Sequence, residues 1–301
     1  MANKYLLNYV CQTNFILSNM KLQKFKDVVL NYKVVFFDAY GVLKKHNGAI
    51  EGVKEMLDFL LEENIQFYII TNDASRSPEL LTEAYHKEGI DTIKAENIVS
   101  SAMMAESFLK ENISPGKKVA YLGRKSSEFY MKNAELIPVK IEEDSEYNYA
   151  ELGAIMLFDD SGYDFKQGIN CTLNAIRSTN IPVIVANPDL IYPVNDKDTA
   201  IAIGSLANMF EAVSDRKFFK FGKPYESIFQ FGFNMVNAKQ KIEKRDIVMV
   251  GDTLDTDIIG ANNFGIDTVL VLSGSTLANQ AEKLIKDKNI HPNYICNSVL
   301  D

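Results

Sequence analysis

The chain has 301 residues, of which 47% are hydrophobic, and a formal net charge of −8. That is room for two domains, or one large one, with a full core. It leaves no basic surplus to neutralise phosphates or anionic lipid, which excludes nucleic acid and membrane surfaces as expected partners. Cys11, Cys171 and Cys296 form no CxxC pair or disulfide framework, and no run of 18 apolar residues occurs. No small-residue cleavage site follows the apolar patch from Tyr5 to Val10. A soluble protein in a reducing, cytoplasmic setting is expected.

Residues 1–32 are mixed, with Leu22, Phe25, Val28 and Val29 on one helical face, and predict a lead-in element packed on the core. The apolar run Val34 to Phe37 predicts a parallel strand buried on both faces, ending on Asp38-Ala39-Tyr40-Gly41. Apolar residues at 53, 56, 57, 60 and 61 predict an amphipathic helix over 51–63. A second buried strand, 65–70, ends in Thr71-Asn72-Asp73, and a helix follows from Pro78 to Lys87, stopped by Gly89. Strand alternating with helix in this way indicates an α/β protein built on a right-handed parallel sheet.

From about Ser101 the chain predicts a smaller α/β layer of its own, with strands at 119–122, 154–158 and 181–186 and helices near 126–134 and 165–178. A helix at 205–213 leads out of it. Phe218 to Phe221 then runs into Gly222-Lys223-Pro224 and a helix through Val236. The strand 246–250 ends in Gly251-Asp252. A short helix around Gly260, a strand at 268–272 and a last short strand with Pro292 and Tyr294 complete the chain. No internal repeat or low-complexity tract occurs.

Ligands in open α/β sheets bind past the carboxyl ends of strands. Asp38, Thr71, Lys223, Asp252 and Asp257 all fall at or just after such ends. Each also has a plain structural reading. Asp38 serves as a turn residue, Thr71 as a helix cap, Lys223 as a solvated lysine, and Asp255 or Asp257 as a first-turn acid. Their joint occurrence in this order is what points to a site.

The segments Asp38-Ala39-Tyr40-Gly41-Val42-Leu43, Ile70-Thr71-Asn72, Gly222-Lys223-Pro224 and Gly251-Asp252-Thr253-Leu254-Asp255-Thr256-Asp257 resemble the four motifs of the haloacid-dehalogenase-like hydrolase superfamily. The likeness is closest to its capped NagD and p-nitrophenylphosphatase branch. Thr71 to Arg76, Ala186-Asn187-Pro188-Asp189 and Asp267 to Gly274 add to it, and it spans roughly residues 33–301. Only 33 positions separate Asp38 from Thr71, against 152 from Thr71 to Lys223, which leaves room for a cap only in the second interval. The expected division is core 1–101, cap 102–214 and core 215–301, with a Rossmann-like parallel core and an inserted α/β cap.

The resemblance implies a Mg²⁺-dependent phosphatase of small phosphorylated metabolites. Asp38 would be the nucleophile that forms an aspartyl-phosphate. Asp38, the backbone carbonyl of Tyr40, Asp252 and Asp257 would serve the metal, Asp257 by orienting its water or Lys223. Thr71, Asn72 and Lys223 would hold the phosphoryl oxygens. Related capped phosphatases often pair through the cap, so a homodimer is implied too. Arg124, Asn187 and Asp189 are candidate cap contacts or ordinary structural residues.

Position 40 departs from the pattern. The family's phosphatases usually carry a second aspartate there as acid and base, a step typically worth about 10²–10⁴-fold. Tyr40 is a poor base at neutral pH, and its plain reading is a residue that packs against the cap. Slow turnover biased toward good leaving groups is expected. Two other readings stay open: a weakened phosphatase that only binds a phosphometabolite, and a metal-independent dehalogenase, which the Asp-Ala-Tyr-Gly segment also resembles. Dehalogenases carry their cap after the first motif, where this chain has no room.

Overall fold

A computed structural model of the chain describes residues 22–141, 149–195 and 198–301. The expected lead-in element falls outside that range as far as residue 21. Its described part is helix α1 (Phe25–Val29), which buries Phe25, Val28 and Val29, while Leu22 stays exposed.

In chain order there follow β1 (Val34–Phe37), β2 (Lys44–Lys45), β3 (Gly48–Ala49), α2 (Val53–Glu62), β4 (Gln66–Thr71) and α3 (Pro78–Lys87). Next come β5 (Ile98–Ser100), α4 (Ser101–Asn112), β6 (Lys118–Leu122), α5 (Glu128–Asn133), β7 (Ile137–Lys140), β8 (Leu152–Leu157) and α6 (Phe165–Ser178). Then come β9 (Val183–Val185), β10 (Ile191–Pro193), β11 (Thr199–Ile201), α7 (Ile203–Ser214), β12 (Phe219–Lys220) and α8 (Glu226–Lys239). The chain closes with β13 (Ile247–Gly251), α9 (Ile259–Phe264), β14 (Asp267–Val271), α10 (Ala278–Lys288) and β15 (Tyr294–Cys296).

The principal sheet has the order β15-β14-β13-β1-β4-β5 and the second sheet β12-β9-β8-β6-β7. The pairs β1–β13, β13–β14, β14–β15 and β4–β5 of the first, and β6–β7, β6–β8, β8–β9 and β9–β12 of the second, run parallel. The fold is therefore α/β, with a Rossmann-like core and an inserted α/β cap whose strands all lie between β5 and β13 in sequence. No helix among the described residues is long and apolar enough to cross a membrane.

The described residues also fall into two compact units, one holding residues 22–45 with Ile50–Phe67 and Glu243–Asp301, the other holding His46–Ala49 and the described part of Tyr68–Ile242. In the first unit, β1 is fully buried and pairs with β13 so that Phe37 faces Val250. Its continuous apolar run follows from burial on both faces. Helix α2 starts after Gly52, whose φ is +92°. It buries Val53, Met56, Leu57 and Leu60 at helical spacing while Leu61 turns outward. Ahead of α9 the backbone makes a turn of π-helix, Leu254–Ile258, where the sequence predicts only one short helix.

In the second unit, Ser77 caps α3 by accepting the Leu80 N–H, Pro78 holds the first helical position and Gly89 follows the helix. The cap sheet shows a two-residue period on each central strand. Val119, Tyr121, Ala154 and Met156 pack with Leu109 and Tyr130 on one face. Ala120, Leu122, Ile155 and Leu157 pack with Ile176 and Phe210 on the other.

Candidate active site

The register of β1 against β13 fixes the acidic residues of the first unit. Asp38 follows Phe37 directly, and its N–H donates to the Val250 carbonyl at 2.8 Å. Asp252 comes two residues after Val250. One carboxylate oxygen from each of Asp38, Asp252 and Asp257 lies within 4.8 Å of the others. Asp252 and Asp257 are 4% and 1% exposed.

These carboxylates are oriented from behind. Asp257 Oδ2 accepts the Thr253 N–H at 3.0 Å. The Thr253 hydroxyl donates to Asp252 Oδ1 at 2.9 Å, and the Ser275 N–H donates to Asp252 Oδ2. Two glycines admit the Asp252 carboxylate. A Cβ at Gly41, whose φ is +79°, would sit 2.1 Å from Asp252 Oδ2, and one at Gly274 would sit 2.0 Å away. Burial first, then the charge of Asp38, pushes the Asp252 carboxyl up to about 6, against the pull of Ser275 and Thr253. An all-oxygen set of crowded carboxylates fits a hard divalent cation.

Tyr40 stands two residues beyond Asp38, is 38% exposed, and carries the Lys44 ammonium 5.4 Å from its ring centroid.

The second unit holds the remaining motif residues. Thr71 ends β4, buried, with its hydroxyl accepting the Asp73 N–H at 3.1 Å. Asn72 grips Lys223 by the backbone: its Oδ1 accepts the Lys223 N–H at 2.7 Å and its Nδ2 donates to the Lys223 carbonyl at 3.0 Å. The same Nδ2 donates to Asp189 Oδ1 at 2.8 Å. Both amide hydrogens of Asn72 therefore have protein acceptors, and its side chain holds the Lys223 backbone in place. Gly222, with φ +110°, is what lets the loop close: a Cβ there would lie 2.4 Å from Asn72 Oδ1. Lys223 is 2% exposed.

The structure thus gathers Asp38, Asp252 and Asp257 in one unit, and joins Asn72 to Lys223, beside Thr71 in sequence, in the other. It adds residues that spacing along the chain does not single out, namely Gly41, Gly274, Thr253 and Ser275 around Asp252, and Asp189 on Asn72. Asp189 lies in the Ala186-Asn187-Pro188-Asp189 segment, whose resemblance was its only signal.

A family model for haloacid dehalogenase-like hydrolases matches residues 35–137, and a second, HAD-hydrolase-like model matches residues 220–301. The crystal structure of a possible sugar phosphatase of the HAD superfamily from Cytophaga hutchinsonii is 42% identical, with a TM-score of 0.89, covering 94% of this chain and 99% of that one. An acid sugar phosphatase from Staphylococcus aureus is 29% identical over 271 residues, covering 87% of this chain and 93% of the relative. NagD from Escherichia coli, at 24% identity, shares the fold with a TM-score of 0.71 over 90% of this chain and 98% of its own. The chain therefore belongs to the haloacid dehalogenase-like hydrolase superfamily.

Proposed function

We propose that the chain is a Mg²⁺-dependent phosphatase of small phosphorylated metabolites, sugar phosphates among them. The observation that carries this reading is the meeting of the Asp38, Asp252 and Asp257 carboxylates at the carboxyl ends of β1 and β13. The names of the sugar phosphatases it resembles support the substrate class.

Asp38 is the nucleophile. Its carboxylate oxygen forms a bond to phosphorus as the ester oxygen departs, and water then cleaves the aspartyl-phosphate. Asp38, Asp252, Asp257 and the Tyr40 carbonyl would hold Mg²⁺, which would screen the repulsion between a carboxylate and a phosphate dianion. That repulsion is roughly 4 kcal/mol for one unit-charge pair at 4 Å and an effective dielectric of 20. Thr71 and Lys223 hold the phosphoryl oxygens, Lys223 being set in place by Asn72. In this reading residues 102–214 belong to the cap, together with β12, which pairs with β9 at the edge of its sheet.

With Tyr40 where the acid usually stands, the ester oxygen departs without a strong proton donor. Turnover is then slow and favours good leaving groups such as aryl and acyl phosphates. Phosphate release from a metabolite panel, with Mg²⁺ and with chelator, tests the reading. Asp38→Asn should abolish release, and Tyr40→Asp should speed alkyl phosphates by about 10²-fold. Release that persists in chelator, or an Asp38→Asn variant of full activity, would overturn it.

A further inference from the structure

We propose that Arg124 reads a second anionic group, a carboxylate or a further phosphate, on the part of the substrate that departs with the ester oxygen. The proposal rests on the phosphatase reading above.

Strands β6 and β8 are parallel neighbours, and their carboxyl ends lie side by side. The Phe158 N–H donates to the Leu122 carbonyl at 2.9 Å. Two glycines bring the loops that follow into contact. A Cβ at Gly123 would come within 3.2 Å of the Asp159 nitrogen, and one at Gly162 within 2.8 Å of the Arg124 Cα.

This packing sets the Arg124 Nε 2.9 Å from Asp159 Oδ2 and 2.8 Å from Ser161 Oγ. The Ser161 hydroxyl in turn donates to Asp159 Oδ1 at 3.1 Å. Asp159 is buried and its neighbour Asp160 accepts the Tyr192 hydroxyl at 2.9 Å. The guanidinium is therefore held by one edge. Among the described residues its terminal nitrogens, Nη1 and Nη2, have no partner, and the side chain is 58% exposed. A guanidinium fixed through Nε presents two parallel N–H donors, the geometry that matches a carboxylate or phosphate.

Its location points to the substrate. Ligands of α/β sheets bind past the carboxyl ends of strands, and Arg124 stands at that end of the cap sheet. The same end packs on the loop after Thr71. Ser126 donates to the Ser75 carbonyl, Tyr130 donates to the Arg76 carbonyl at 2.7 Å, and Asp189, past the end of β9, accepts from Asn72. Arg124 thus shares its unit with Thr71 and Lys223, the residues proposed to hold the phosphoryl oxygens.

The test compares 3-phosphoglycerate with glycerol 3-phosphate, which differ by a carboxylate in place of a hydroxymethyl. A second pair, fructose 1,6-bisphosphate and fructose 6-phosphate, differs by a further phosphate. The wild type should favour the more anionic member of at least one pair, and the pair it favours identifies the anion. Arg124→Ala should raise KM for that compound about tenfold and leave its kcat, and both constants for the less anionic partner, unchanged. Arg124→Lys should recover only part of the preference, because an ammonium lacks the fork. Equal losses on both members of a pair, or no preference in the wild type, would overturn the proposal. Calorimetric affinities on the Asp38→Asn protein separate the two readings. An Arg124-dependent difference in binding without turnover in the wild type sustains the anion site and defeats the phosphatase.

Discussion

Gly274 shows how one missing side chain governs the acid beside it. A Cβ there would fall 2.0 Å from Asp252 Oδ2 and 2.7 Å from the Gly41 Cα, and since Gly41 meets it with backbone, the Asp252 carboxylate is the group that must move. Gly274→Ala should keep the fold yet displace the Asp252 carboxylate. The Mg²⁺ concentration for half-maximal phosphate release should then rise by about 10–100-fold, the usual cost of disturbing the residues behind a metal ligand. An unchanged Mg²⁺ titration would refute this. Asp159 offers a test by pH. Burial pushes its carboxyl up to about 6, with Arg124 and Ser161 pulling it down and Asp160 pushing it up; Arg76 and the Asp160-bound Tyr192 are its other polar surroundings. An unfolded aspartate titrates near 3.9, so the ionised form costs stability above pH 6, and the cost fades as pH falls through 6 toward 4. Relative to Asp159→Asn, the wild type should therefore gain about 1 kcal/mol between pH 7 and pH 5. Denaturant midpoints of the two proteins across that range decide it, and a difference that stays flat or reverses counts against the assignment.

Among the elements, α3 is the one whose ends are most fully written in the sequence, with Ser77 before it, Pro78 at its first position and Gly89 beyond it. Ser77→Ala would strand the buried end of the cap by removing the acceptor of the Leu80 N–H. A loss of about 1 kcal/mol in unfolding free energy is expected, with KM and kcat unchanged; a catalytic defect would mean that the helix does more than support the Thr71 loop. The strands β1, β13 and β14 are legible for an equally local reason, since burial on both faces demands an unbroken apolar run. Helix α4 is not, because Ser101 begins it on the residue after β5 and no turn separates the two. Helix α10 buries only Ala281 and Ile285 and so carries a thin apolar stripe. Strands β10 and β11 turn Ile191 and Ile201 to solvent, which erases the alternation that would have marked them. The site divides the same way. Asp38, Thr71 and Asp252 can be read because they end strands, and Lys223 because Gly222 and Pro224 flank it. The grip of Asn72 on Lys223 joins residues 151 apart, and the fit of Gly274 around Asp252 spans helix α9 and strand β14, so neither leaves a pattern along the chain.

At the scale of the whole molecule the proposed chemistry is shared out unevenly between the two units. The carboxylates for the metal, Asp38, Asp252 and Asp257, belong to the unit that ends in Glu243–Asp301, whereas Thr71, Asn72 and Lys223 belong to the unit of Tyr68–Ile242. A ligand that binds only the folded state stabilises by about 2.7 kcal/mol at a hundred times its Kd, and the benefit goes first to the residues that touch it. Mg²⁺ alone should therefore slow hydrogen exchange in residues 38–41, 251–257 and 273–276, the segments around the acids, while the loop 71–76 exchanges as before. A phosphate mimic such as vanadate, added with Mg²⁺, should extend the protection to 71–76 and 222–224, because Thr71 and Lys223 would then hold its oxygens. Hydrogen exchange read by mass spectrometry on the wild type and on Asp252→Asn checks both steps, and the variant should lose the first and weaken the second. Protection of 71–76 by Mg²⁺ in the absence of the mimic, or none around Asp252 at saturating Mg²⁺, would contradict this assignment of metal and phosphate to separate parts of the chain.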